Sequence, residues 1–217
     1  MRVAFLLLAL LPDAYAHDYI TTRLTWAQEI SRILYRRCYQ CHGPSASIPL
    51  TTYEEVRPWA KAIREEVLER RMPPWDAAPG FGEFRNDSSL TQLETDWLVD
   101  WVEGGAPRGN ELYLPDRPPA NPPVIESMRP GLRVTQSRRL TRRLRLTAIQ
   151  PVDVPPGGSL HVLASLPDGG RRYLLWIPQF RKTRVYWLRE PMDLPAGSVI
   201  TVQGAGGALV TGRPPGS

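Results

Sequence analysis

With 217 residues, 42% of them hydrophobic and 23% charged, the chain is long enough for two small domains, each burying a core of its own. Its formal net charge is +5, and apart from 23 prolines its composition is that of an ordinary soluble protein. No stretch approaches the ~20 apolar residues that a membrane-spanning helix requires.

The chain opens with Met1-Arg2, a short apolar run from Val3 to Leu11, and Ala14-Tyr15-Ala16, which puts small residues at the positions that precede a signal-peptidase cut. Residues 1–16 therefore read as a secretory signal peptide cleaved after Ala16. A soluble exported protein is expected, periplasmic if the source is Gram-negative.

Thr25-Trp26-Ala27-Gln28 has the pattern of a capping box, and Trp26, Ile30, Ile33 and Leu34 then recur at helical spacing. This helix leads into Cys38-Tyr39-Gln40-Cys41-His42, which contains the only two cysteines of the chain at the spacing that attaches a c-type haem. Shuffling so few cysteines and histidines would produce this pentad roughly one time in ten thousand. Two thiols three residues apart project from one turn, so both can add to the vinyl groups of one porphyrin edge, and the histidine that follows is carried beneath the ring to ligate iron. A disulfide and a zinc half-site are the competing readings. The first belongs to a βαβ pattern that is absent, and the second lacks ligands, since the other histidines, His17 and His161, are far apart in sequence.

Beyond a proline-containing loop, Thr52-Tyr53-Glu54-Glu55 forms a second capping box, Pro58 suits the first turn of a helix, and Trp59, Ala62, Ile63 and Val67 line one face. The helix must stop before Pro73. Met72-Pro73-Pro74-Trp75 thus places a thioether at a helix end, ahead of two residues with fixed backbones, and Met72 is the candidate second axial ligand opposite His42. Met128, Met192, His17 and His161 are weaker rivals. A third helix, with its cap at Thr91 and Glu94, carries Leu90, Leu93, Trp97, Leu98, Trp101 and Val102 and ends at Gly104-Gly105. Its tryptophans, with Trp59 and Trp75, are candidates either for core packing or for haem contact.

Taken together, the Arg36-Arg37-Cys38…Cys41-His42 core, Arg57-Pro58-Trp59-Ala60, Arg70-Arg71-Met72-Pro73-Pro74-Trp75 and the closing Trp101-Val102-Glu103-Gly104-Gly105-Ala106-Pro107 resemble the c-type cytochrome domain of exported bacterial proteins. The resemblance implies an all-α cytochrome c-like domain over residues 17–110, with His42 and Met72 as ligands of one covalent haem c.

Five prolines between Pro115 and Pro123 mark a semi-rigid linker, placed at residues 111–127. Past it the hydrophobic period changes to two. Strand-like runs at 140–146, 159–165, 171–177, 184–188 and 199–203, separated by Pro/Gly turns, predict a small antiparallel β-sandwich over 128–217, with a loose tail after Gly204. The fold class expected is therefore a two-domain α + β chain. Pro167-Asp168-Gly169, Leu174 to Pro178 and Pro191 to Ser198 resemble segments of the C-terminal domain of copper type II ascorbate-dependent monooxygenases. That family holds copper with a His-x-His pair and a methionine, whereas this domain has the single His161, so a shortened relative without the metal is expected.

Seven arginines and no acidic residue fall between Ser127 and Gln150. Export and a haem direct such charge toward an acidic redox partner protein, or peripheral contact with an anionic membrane, rather than toward nucleic acid. A haem filled on both axial sides leaves no open site for a substrate, so the expectation is an electron carrier rather than an enzyme, with no catalytic residues. A remnant of a redox enzyme, monooxygenase-like or peroxidase-like, and a haem-based sensor of small ligands are the alternatives.

Overall fold

The computed structural model describes residues 22–118 and 131–213. The expected signal peptide, His17, Met128, most of the linker prolines and the last four residues lie outside them. By its contacts the chain divides into two compact units, one of residues 1–64 with 92–118, the other of 65–91 with 119–217.

In the first unit a five-residue π-helical turn, Trp26–Ile30, runs directly into α1, Ser31–Arg37. Thr25 caps it as expected, its hydroxyl accepting from the Gln28 N–H at 3.3 Å. The reciprocal bond is supplied by Glu29, whose carboxylate accepts from the Thr25 N–H at 2.8 Å, and not by Gln28. The extra residue per turn moves the acidic partner one place along. Helix α2, Tyr53–Val56, carries a complete capping box between Thr52 and Glu55. A 3₁₀ turn at Arg57–Trp59 then admits Pro58 before α3, Ala60–Leu68. Helix α4, Gln92–Glu103, ends as its glycines predict: Ala106 donates to the Trp101 carbonyl at 2.8 Å, Gly105 donates to that of Val102 at 3.2 Å, and Gly105 takes φ +90°. Trp26, Ile30, Ile33, Leu34, Leu98 and Trp101 fill the interior.

The second unit contains eight strands: β1 Leu132–Val134, β2 Ser137–Arg139, β3 Leu144–Val152, β4 Leu160–Ser165, β5 Arg171–Ile177, β6 Tyr186–Leu194, β7 Val199–Gly204 and β8 Gly207–Arg213. They form two four-stranded antiparallel sheets, ordered β1-β8-β3-β6 and β2-β7-β4-β5. Both sheets bury their apolar side chains in one common core, among them Leu146, Ile149, Tyr186 and Val210 from the first and Leu160, Leu174, Ile177 and Ile200 from the second. Residues 207–213, expected in a loose tail, are instead an inner strand of the first sheet, with Ala208 and Val210 buried.

The expectation of an all-α cytochrome c-like domain over residues 17–110 is overturned. The chain is mostly β, its helices are short, and residues 69–91 hold no helix at all. That segment is apolar and aromatic enough to read as core, but it supplies the core of the β unit. β5 and β6 are each an outer strand of their sheet, and residues 76–85 run along both as a strap. Ala78 donates to the Trp176 carbonyl at 2.8 Å, Arg85 donates to that of Trp187 at 2.9 Å, Arg189 donates back to Glu83 at 2.8 Å, and Phe84 pairs with Leu188. The strap thus satisfies backbone groups that two sheet edges would otherwise expose.

Candidate haem attachment site

All three residues of the attachment motif follow α1 on one tight turn. Cys38 closes the helix, donating to the Leu34 carbonyl at 2.9 Å, and the Cys38 carbonyl accepts from both Cys41, at 3.1 Å, and His42, at 2.8 Å. The chain therefore coils once more between the two thiols. This shared carbonyl is what brings Cys38, Cys41 and His42 together.

The imidazole of His42 is fixed by the loop that follows. Its Nδ1 lies 2.8 Å from the Ile48 carbonyl oxygen, an arrangement that puts the proton on Nδ1 and leaves the Nε2 lone pair for a metal. The loop is held in turn: Leu50 donates to the His42 carbonyl at 2.9 Å, and the buried Tyr35 hydroxyl donates to the Thr51 carbonyl at 3.0 Å. Beneath the motif, Trp26, Tyr35 and Tyr39 pack edge to face at 6.1 and 5.8 Å between successive rings.

Burial pushes the half-buried Cys38 thiol up to about 12, with Cys41 and the Glu94 carboxylate adding to the rise and Arg37 opposing it. At neutral pH it stays a thiol. Cys41 is exposed. Among the described residues no group of three His, Cys, Asp or Glu side chains is placed to hold a metal ion.

Glu94 is the site residue that sequence reasoning missed in this role, having been read as part of a cap. It is buried on α4 and takes the two arginines that precede the motif, Arg36 at 3.2 Å and Arg37 at 3.1 Å. A carboxylate facing the dibasic step before the first cysteine was the available signal.

Met72 belongs to the second unit, where it is 43% exposed. Helix α3 ends in a Schellman motif in which Arg71 donates to the Glu66 carbonyl at 2.9 Å and Arg70 to that of Val67 at 3.1 Å, and Met72 also donates to Glu66, at 3.2 Å. The Met72–Pro73 peptide is cis. Met192, its rival, packs against the β core.

The tryptophans divide between packing and exposure. Trp101 is fully buried with its indole N–H on the Pro107 carbonyl at 3.0 Å. Trp75 packs on Tyr186 and Phe84 in the β unit, at 5.0 and 5.9 Å between ring centroids, and Trp59 is exposed. His161, on β4, stacks on Tyr173 at 5.8 Å beside Phe81 and Trp176. It is the one histidine among the described residues of the β unit.

No family model matches the chain, and no curated protein and no solved structure matches it either. No described helix is long and apolar enough to cross a membrane.

Proposed function

We propose that the protein is an exported monohaem c-type electron carrier, with haem joined to Cys38 and Cys41 and its iron ligated by His42 and Met72. The observation that carries this reading is the hydrogen bond from His42 Nδ1 to the Ile48 carbonyl, next to the turn that presents both thiols, because it fixes the tautomer that keeps the Nε2 lone pair for a ligand's role. Bound there, the haem would supply reversible one-electron chemistry, and a His/Met pair would favour a relatively high potential. Cys38 and Cys41 would anchor it and His42 would orient it. The resemblance to exported bacterial cytochrome domains, on the motifs around Cys38 and Met72, supports the same reading, and the net charge of +5 suits an acidic redox protein as partner.

The test is an optical spectrum of the protein exported by cells that attach haem, oxidised and reduced, for wild type and Met72→Ala. Covalent haem in both, with a methionine–iron band lost in the variant, is the expected outcome. Haem-free wild type overturns the reading, and a band that survives the substitution overturns Met72 as ligand.

A second reading, a sensor of small ligands, draws on the exposure of Met72 at the end of a helix. A thioether so placed leaves iron readily. Rapid carbon monoxide binding by the reduced wild type, as fast as in Met72→Ala, would favour it over electron transfer.

A further inference from the structure

The last two rows of the β2-β7-β4-β5 sheet begin and end in arginine. Register carries Arg139 through Val199 and Ser165 to Arg171, and one residue further in it carries Arg138 through Ile200 and Ala164 to Arg172. β2 and β5 are the two edges of that sheet, so a pair of guanidinium groups flanks its end on each side, separated by three interstrand spacings, or about 14 Å. The connection from β2 to β3 adds Arg142 and Arg143 and crosses to the other sheet, where Arg145 stands opposite Asp193 in the β3–β6 register, beside the turn from β6 into β7. All seven arginines are exposed, and no lysine stands among them.

Little opposes this charge. Asp193 accepts from Arg143 at 2.7 Å, and Asp168 caps its own turn by accepting from the Gly170 N–H at 2.8 Å. Among the described residues Arg138, Arg142, Arg145 and Arg171 form no ion pair.

We propose that this end of the β unit docks on an anionic phospholipid membrane. The arginines stand on both edges of one sheet and pass across to the other, so they surround a blunt end instead of lining one face. A flat and laterally continuous layer of phosphates meets both edges, and the connection between the sheets, at once. Guanidinium groups take phosphate oxygens in pairs, which an ammonium cannot do. Attachment of this kind is electrostatic and reversible, and it weakens with salt. Charge on β2 and β5 also deters strands of other molecules from pairing with those edges, but that role calls for nothing at Arg142 or Arg143, which lie in a connection. The inference does not depend on the haem.

The test is co-sedimentation of the full chain with vesicles of phosphatidylcholine containing 30% phosphatidylglycerol, a probe composition chosen as roughly that of an anionic leaflet. Three variants accompany wild type. One neutralises Arg138, Arg139, Arg171 and Arg172 to glutamine, one converts the same four to lysine, and one neutralises four exposed cations elsewhere, Arg23, Lys61, Lys182 and Arg189. Wild type should bind these vesicles and not pure phosphatidylcholine. The first variant should lose on the order of 100-fold in affinity or more, the lysine variant part of that, and the control far less. Absence of wild-type binding at low salt overturns the proposal, as does equal loss in the first variant and the control, which would make net charge the whole effect. Binding to poly-glutamate that depends on the four arginines, without binding to vesicles, would assign the surface to an acidic protein instead. If the glutamine variant aggregates, the wild-type and lysine-variant measurements still decide the matter.

Discussion

Single residues decide how the candidate ligands are presented. Arg70, two places before Met72, occupies the left-handed position of the Schellman motif with φ +54°, where a β-carbon crowds the carbonyl that follows. Its own carbonyl accepts from the Arg181 guanidinium, a bond that a side-chain change leaves intact. Arg70→Gly should therefore stabilise the protein by about 0.5–1 kcal/mol, measured as a raised midpoint in urea at an unchanged slope, because relief of strain outweighs the backbone freedom that glycine adds to the unfolded chain. A lowered midpoint would show that the arginine side chain contributes more than its backbone costs. The attachment motif was legible at this scale because covalent chemistry fixes its spacing, so Cys38, Cys41 and His42 could be read from five letters. The Ile48 carbonyl that orients His42 was not legible, since every residue has a carbonyl and only the loop's path selects this one.

At the level of elements, caps and straps do most of the fixing. Burial works against the Glu55 carboxylate, but the Thr51 hydroxyl and the Thr51 and Thr52 N–H groups outweigh it and hold its pKa below the ordinary 4.5. A carboxyl depressed in the folded state contributes stability that is present above its unfolded pKa and is lost as pH falls through the folded value. Glu55→Gln should therefore destabilise the protein at pH 7 and lose that effect on acidification below the carboxylate range, so that the denaturation midpoints of the two proteins converge. Midpoints that stay equally far apart at acid pH would assign the effect to geometry alone. The strap over β5 and β6 rests on Gly82, at φ +91°, where an added β-carbon would lie 2.4 Å from the Leu174 carbonyl oxygen and 2.6 Å from the Phe84 ring. Gly80, at φ +82°, faces open space. Gly80→Ala should cost about 1 kcal/mol from backbone strain alone, and Gly82→Ala about 2–4 kcal/mol, the difference being the forced retreat of the strap from β5. Equal costs for the two would mean that the strap gives way without penalty. Helices and strands were largely legible from their periods, because Trp26, Ile30 and Ile33 repeat at helical spacing and Leu160, Val162 and Ala164 alternate. Residues 76–85 were not, because a strap has no period of its own and its partners, Trp176, Trp187 and Leu188, come about a hundred residues later.

For the whole chain, the two compact units are interleaved in sequence and not consecutive. Residues 65–91 leave the first unit, contribute to the second, and return to the first at α4. A linker rich in proline, with two different hydrophobic periods on either side, invites a single cut near residue 115, and that cut would separate the strap from the sandwich it closes. Fragment 111–217 would then expose the backbone edges of β5 and β6 and the aromatic side chains that Trp75 and Phe84 cover, including Tyr186. It would also strand the N–H groups of Arg181 and Lys182, which donate to the buried Asp76 carboxylate at 3.0 and 3.3 Å. Exposed edges recruit further strands, so the fragment should associate and bind hydrophobic dyes where the full chain does neither. Adding a synthetic peptide of residues 65–91 should restore a monomer and a cooperative thermal transition, since the strap's bonds to β5 and β6 need no covalent connection. A fragment that is monomeric and melts cooperatively without the peptide would show that the sandwich is complete without the strap, and that a single cut at the linker does divide this chain into two folding units.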